Sequence, residues 1–196
     1  MDGLIALFTA ALALMGSPGP ATLSSAAAGA AYRLRAVPYV LGISLGTITV
    51  MVLVAAGVTG LVTSIPGAAP VISGLAAAYI LYLAWRIATA PPVGALDHQA
   101  APPPFLGGYA LAVVNPKAYG AMGALFSGFP LIPDDPVTGG ILKVAMLAAF
   151  ALAINATWMS VGAGLARAMR NPRTSRALNI MFAVLLVASV VAAFLL

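Results

Sequence analysis

Long apolar stretches separated by brief polar punctuation fill this 196-residue chain, and its few charges mark the punctuation. No charged residue lies between Asp2 and Arg33, a run of 30, or from Ala36 to Trp85, a run of 50. The longer run carries Ser64-Ile65-Pro66-Gly67-Ala68-Ala69-Pro70 at its centre. Prolines and glycine there end one helix and begin the next, so the run holds two membrane-length helices and a tight loop. Pro91 to Pro104 is the one long polar, proline-rich stretch, and it reads as a linker because prolines remove donors and clash with the preceding turn. Phe105 to Leu131 is apolar again, interrupted at Asn115-Pro116-Lys117, and Pro130 to Thr138 reads as a turn holding Asp134 and Asp135. A charge-free stretch of 23 residues, Val144 to Ala166, a basic loop from Arg167 to Arg176 and a final apolar run from Ala177 to Leu196 complete the chain. The pattern predicts an all-α integral membrane protein with six helices at about 3–31, 37–62, 71–89, 105–130, 140–166 and 177–196.

Composition agrees with the pattern. Hydrophobic residues make up 62% of the chain and charged ones 7%, with a mean hydropathy of +1.07. A soluble domain carries roughly a quarter of its residues as charges. Thirteen charges, nine basic and four acidic, cannot coat a globule of this size. The net charge of +5 fits anchoring at a membrane surface better than nucleic-acid binding, because the cations flank apolar spans. Cysteine is absent, which removes disulfides, thiolate metal sites and thiol redox chemistry. The start, Met-Asp-Gly-Leu-Ile, has an acid where a cleavable signal needs cations, so the first helix reads as a retained span. Arg33, Arg35, Arg86, Arg167, Arg170, Arg173 and Arg176 fall on one side of the expected topology, whereas Lys143 and three aspartates fall on the other. That bias puts the arginine loops in the cytoplasm and both termini outside it.

Three spans precede the proline-rich linker and three follow, so the second half enters the bilayer from the opposite side. The expected organisation is a first repeat at 1–90, a cytoplasmic linker at 91–104 and an inverted second repeat at 105–196. The first helix of each repeat carries an internal proline motif, Ser17-Pro18-Gly19-Pro20 and Asn115-Pro116-Lys117. Paired interruptions of this kind predict helices 1 and 4 broken at mid-membrane around a binding site. Each break frees peptide groups that lipid would penalise by several kcal/mol, so they belong against protein or a watery cavity.

Lys117 is the sharpest candidate. Counted from Phe105 it lies about 18 Å into its span, near the middle of a ~30 Å core. All four acids lie in loops or at the terminus, so its partners are backbone carbonyls, water or an anionic group on a ligand. The candidate substrate site is therefore Ser17, Pro18, Gly19, Pro20, Asn115, Pro116 and Lys117, with Lys117 meeting a carboxylate. The alternative role for Lys117 is to cap the negative end of the half-helix before Pro116. Gly42 and Gly46 form a small-xxx-small pair for close helix packing, within the chain or across a homo-oligomer through helix 2. Asn155 suits an interhelical hydrogen bond or a place on the pathway. Arg86, after Tyr79, Tyr82 and Trp85, suits a headgroup anchor or the pathway. A single histidine, His98, no cysteine and no buried acids give no metal site, no cofactor and no nucleophile–base pair, so no enzyme is expected. No phosphate-binding loop is present either.

Taken together, Ser17-Pro18-Gly19-Pro20, Leu23, Gly29, Gly42, Gly46 and Gly57 resemble the opening signature of the lysine exporter (LysE/RhtB-type) amino-acid translocators. Tyr82-Leu83-Ala84-Trp85-Arg86, Phe105-Leu106-Gly107-Gly108-Tyr109 and Asn115-Pro116-Lys117-Ala118 are similar to later motifs of that family, and the likeness covers essentially the whole chain. It implies a six-helix secondary transporter of the bacterial cytoplasmic membrane, exporting amino acids or related metabolites. Ala21 stands where many relatives have an acid or amide, Ser127-Gly128-Phe129-Pro130 stands where they have Pro-Gln, and the last helix lacks their glycines. Those departures speak against a cationic substrate. A non-transport scaffold or assembly subunit, and an inorganic or metal-ion exporter of related fold, are the alternatives.

Overall fold

The computed structural model describes residues 2–57, 74, 78, 81, 82, 84, 85, 88, 89, 101–132, 134–165 and 171–195. Among them the chain is all-helical, without strands. In order come α1 (Asp2–Gly16), α2 (Pro20–Tyr32), a single 3-10 turn (Arg33–Ala36), α3 (Val37–Ala55), α4 (Phe105–Val113), α5 (Pro116–Gly128), α6 (Pro136–Leu165) and α7 (Pro172–Leu195). Gly74, Ala78, Leu81, Tyr82, Ala84, Trp85 and Ala88, from the expected third helix, are also helical. Arg86, the turn at 64–70, most of the linker at 91–104, Arg167 and Arg170 lie outside the described residues.

One local rule starts most of these helices: proline in the first turn, preceded by a residue that can cap. Proline suits that position because its missing N–H has no helical partner there anyway. Asn115 Oδ1 accepts the Lys117 amide at 3.2 Å ahead of α5, and Asn171 Oδ1 accepts the Arg173 amide at 3.0 Å ahead of α7. Asp135 Oδ1 accepts the Thr138 amide at 3.1 Å ahead of α6. Hydrogen bonds from the Thr138 side chain and amide hold the Asp135 carboxyl below its ordinary range. Two expected boundaries move as a result. The sixth helix begins at Pro172, so Arg173 and Arg176 belong to its first turns and not to a loop, and the fifth begins at Pro136 rather than near 140. Lys143, counted with the loop charges above, sits inside α6 with only 3% of its surface exposed.

The polarity of the fold is that of a protein immersed in lipid. Thr22, Ser24, Ser25, Ser44, Thr47, Asn115, Lys143, Asn155 and Asn179 are buried, whereas Leu41, Leu45, Val52, Ile141, Leu152, Val161 and Val184 face outward. The continuous run Pro20–Ala55 and the helix Pro136–Leu165 each reach a mean hydropathy of 2.1. At about 1.5 Å per residue the latter is roughly 45 Å long, enough to cross a ~30 Å core.

Glycines set how closely the helices approach. A Cβ on Gly29 of α2 would collide with Met159 O, and one on Gly162 of α6 would collide with Ala26 O. Likewise a Cβ on Gly42 of α3 would collide with Phe105 O, one on Gly46 would lie 2.6 Å from Tyr109 O, and one on Gly108 of α4 would collide with Tyr39 O. Without a hydrophobic drive between helices in lipid, such close van der Waals contact is a main source of association. The Gly42–Gly46 stripe is thus filled within the chain by α4. The outward side of α3 carries Leu41, Leu45 and Val52. Both glycine contacts join the segment before the proline-rich linker to the segment after it.

Substituting valine at Gly29 or Gly162 should destabilise the protein by about 1–3 kcal/mol, because backbone must shift to admit the side chain. Alanine at Gly123 or Gly164, where nothing lies within 4 Å, should leave the melting temperature in detergent unchanged or slightly raised. Equal melting of all four variants would contradict the packing role.

Candidate functional site

The two proline motifs face each other. Between α1 and α2 the backbone at Ser17–Gly19 leaves helical geometry, with Gly19 extended at φ −176° and ψ −179°. Between α4 and α5 the chain breaks at Val114 and Asn115. Lys117, in the first turn of α5, spans the gap: its Nζ donates to Ser17 O at 2.7 Å, Ser17 Oγ at 2.8 Å and Pro18 O at 3.2 Å. An ammonium has three N–H donors, and here all three are used. The acceptors sit just beyond the last residue of α1, where the helix dipole is negative. Lys117 therefore caps a half-helix, as one expectation had it, but the half-helix is α1 from the other segment and not the α4 that precedes Pro116. Gly19 makes this possible: a Cβ there would lie 2.8 Å from Lys117 Cδ and 2.9 Å from Nζ.

The freed peptide groups of the first break are largely partnered within the protein. Thr22 Oγ1 accepts the Gly19 amide at 2.9 Å and lies 3.3 Å from Ser17 O and 3.2 Å from Gly19 O, as donor. Trp158 Nε1 donates to Gly16 O at 3.2 Å, and Leu23 N–H to Gly19 O at 2.9 Å. The break is thus a satisfied polar joint, not the row of open donors and acceptors that the motif alone suggests.

Beside the joint is a cavity of about 50 Å³, whose walls include Gly19, Thr22, Thr47, Asn115, Lys117 and Asn155. Of the residues singled out from sequence, Gly19, Asn115, Lys117 and Asn155 reach this wall, and Ser17, Pro18, Pro20 and Pro116 do not line it. Asn115 is 4% exposed and spends its carbonyl on the α5 cap. Asn155 ties three helices together: its Oδ1 accepts from Ser25 Oγ and its Nδ2 donates to Ser44 Oγ, each at 3.2 Å. Thr22, Ser25 and Thr47 carry no signal in the apolar pattern, because a few hydroxyls among many apolar residues leave each stretch strongly hydrophobic. Among the described residues, no group of three or more His, Cys, Asp or Glu could hold a metal ion.

A half-buried cationic joint between the α1–α2 and α4–α5 junctions is the arrangement on which the chain's relationships bear. The profile of the LysE type translocators matches residues 12–196. The chain belongs to the LysE type translocator family. It is accordingly a transmembrane transport protein of the bacterial inner membrane. It is 34% identical over 190 residues to proteins named cysteine/O-acetylserine efflux protein in Salmonella typhimurium (strain LT2) and in Escherichia coli (strain K12). Those alignments cover 94% of this chain and 93% of each relative. No solved structure matches.

Within this LysE type translocator, Ser25 and Ser44 keep backbone partners of their own, Ala21 O at 2.9 Å and Val40 O at 3.0 Å. Asn155→Leu should therefore lower stability by only about 0.6 kcal/mol per interhelical bond lost. It also replaces a polar wall with an apolar one, so transport by reconstituted protein should fall much further than stability does. Parallel losses of melting temperature and transport would assign Asn155 a packing role alone.

Proposed function

We propose that this LysE type translocator exports small neutral amino acids, or close derivatives, from a site between the breaks of its first and fourth spans. The names of the curated relatives, cysteine and O-acetylserine efflux proteins, supply the substrate class. The observation that carries the reading is Lys117, an ammonium whose partners among the described residues are oxygen atoms of the α1–α2 joint and which borders a cavity. A ligand carboxylate would draw one or more of its donors away from Ser17 and Pro18. The carbonyls so released, at the negative end of α1, would then receive the ligand's own ammonium. Ligand and lysine thus exchange partners, and neither charge is stranded.

The organisation that goes with this reading is six spans in two inverted repeats, 1–90 and 105–196, joined by the linker at 91–104, with both termini outside the cytoplasm. A cavity of about 50 Å³ has room for roughly three or four waters, less than an amino acid needs. The conformation described is therefore contracted around Lys117, and rocking of the repeats must widen it. With neither an acid nor a histidine in the spans, a coupled proton would have to ride on Lys117 or on the ligand itself.

Expression in a host challenged with toxic amino-acid analogues should confer resistance to small neutral analogues and not to cationic ones. Lys117→Ala should abolish that resistance, at least tenfold in efflux rate from a single lost charge-assisted contact of about 1.5–3 kcal/mol, while the protein still inserts. Normal efflux from that variant, or resistance confined to cationic analogues, would reject the site.

A further inference from the structure

A second lysine is buried in the spans, and nothing above uses it. Lys143 Nζ donates to Leu125 O and Phe126 O, each at 3.1 Å, and lies 4.9 Å from the centre of the Phe126 ring. Those carbonyls belong to the last turn of α5, so capping accounts for two of its three donors. The side chain also lines a cavity of about 400 Å³, with Val54, Phe126, Ser127, Leu131 and Gly140 among the other walls. That volume lies in the range of small-molecule sites, whereas the space beside Lys117 does not.

The two cavities are stacked along the same helices with one apolar layer between them. On α3 the first touches Thr47 and the second Val54, and Met51 lies between. On α6 the first touches Asn155 and the second Lys143, and Leu147 lies between. On α5 the layer is completed by Met122 and Leu125, and all four of these side chains are at most 1% exposed. Along α6 the two polar ends are about 18 Å apart. The wider cavity sits at the Ala55 end of α3, about 25 Å from the end that follows Arg33 and Arg35. On the arginine side the helices meet backbone to backbone at Gly29, Gly42, Gly108 and Gly162, and the space lies on the other side.

We propose that Lys143 is a second carboxylate-binding station, where the substrate's carboxylate rests after it passes the Met51–Met122–Leu125–Leu147 layer and before it leaves on the side away from the arginines. Its third N–H donor and the cavity are available to a carboxylate without breaking the α5 cap. Asp134 and Asp135 follow the cavity wall at Ile132 and precede it at Pro136, so the rim carries negative charge. A zwitterion with its carboxylate on Lys143 and its ammonium toward that rim fits this polarity. This inference rests on the exporter reading for its ligand and its direction.

The chain has no native cysteine, so Gly140→Cys introduces a single thiol on the same wall, one helical turn from Lys143, at a position with nothing within 4 Å. In nanodiscs of phosphatidylcholine alone, a sulfonate-bearing thiosulfonate should label it about tenfold faster than a quaternary-ammonium one, after correction for their rates with free thiol. L-serine and propionate should slow the sulfonate reagent, and ethanolamine should not. Lys143→Gln should abolish the preference and the protection, and Lys143→Arg should keep both. Equal corrected rates, no labelling by either reagent, or an anion preference that survives Lys143→Gln would overturn the station. Labelling needs no transport, so an anion preference together with absent amino-acid efflux would leave the station standing and reject the exporter reading. Efflux with equal labelling rates would do the reverse.

Discussion

A lysine ammonium in an apolar run, with no carboxylate partner among the described residues, constrains everything around the α1–α2 joint. Placing it there costs about 2.5–3.5 kcal/mol on insertion scales, unless its donors are satisfied. The solution is to break α1 before Pro20, so that Ser17 and Pro18 present carbonyls that an intact helix would have used internally. The break in turn needs Thr22 to hold the Gly19 amide, Trp158 to hold Gly16 O, and a glycine at 19 for the lysine to cross. Apart from the local Thr22–Gly19 bond, these contacts reach across elements distant in sequence. The joint therefore cannot form until the segments on either side of the linker have met.

That dependence explains the contrast between the two ends of the fold. Where glycines let α2 reach α6 and α3 reach α4, backbones touch and leave no space. Toward the other ends of α3 and α6 the packing gives way to a cavity of about 400 Å³, and the polar joint lies between these regimes. Stiff contact at one end and loose contact at the other is the mechanical condition for rocking about a fixed centre, since only the loose end can change volume cheaply.

How much of this was legible in the chain depends on the kind of signal. The Asn115-Pro116-Lys117 motif spoke plainly, because a cation inside an apolar run has few physical explanations, and the residue does lie at the joint. Gly42 and Gly46 announced close packing, but a glycine stripe does not name its partner, and α4 supplies it. Lys143 is easily taken for a boundary charge, because a lysine directly before the charge-free run at Val144 looks like its edge. Asn171-Pro172 was passed over for the same reason, although it repeats the cap-then-proline grammar of Asn115-Pro116. Thr22, Ser25 and Thr47 are not legible there, since a hydroxyl that bonds a nearby carbonyl of its own stretch leaves no periodic trace. The satisfied state of the break was beyond sequence altogether: which carbonyl meets which donor is decided by tertiary approach.

Charge balance at the proposed site narrows what it can carry. One ammonium and two opposed helix ends accept a zwitterion without changing the net charge of the joint, because each ligand charge finds an opposite partner. A lysine or arginine substrate brings a further cation into the same volume. At about 4 Å from Lys117, with an effective dielectric near 20, that repulsion is worth about 4 kcal/mol, or roughly a thousandfold in affinity. Relief would take an acid in the spans, and all four acids of the chain, Asp2, Asp97, Asp134 and Asp135, lie outside the apolar runs that form them. Dicarboxylates meet the mirror problem, with one anion matched by Lys117 and a second facing carbonyl oxygens. At the proposed site, discrimination against charged amino acids thus needs no dedicated recognition of the side chain, because the electrostatics reject them.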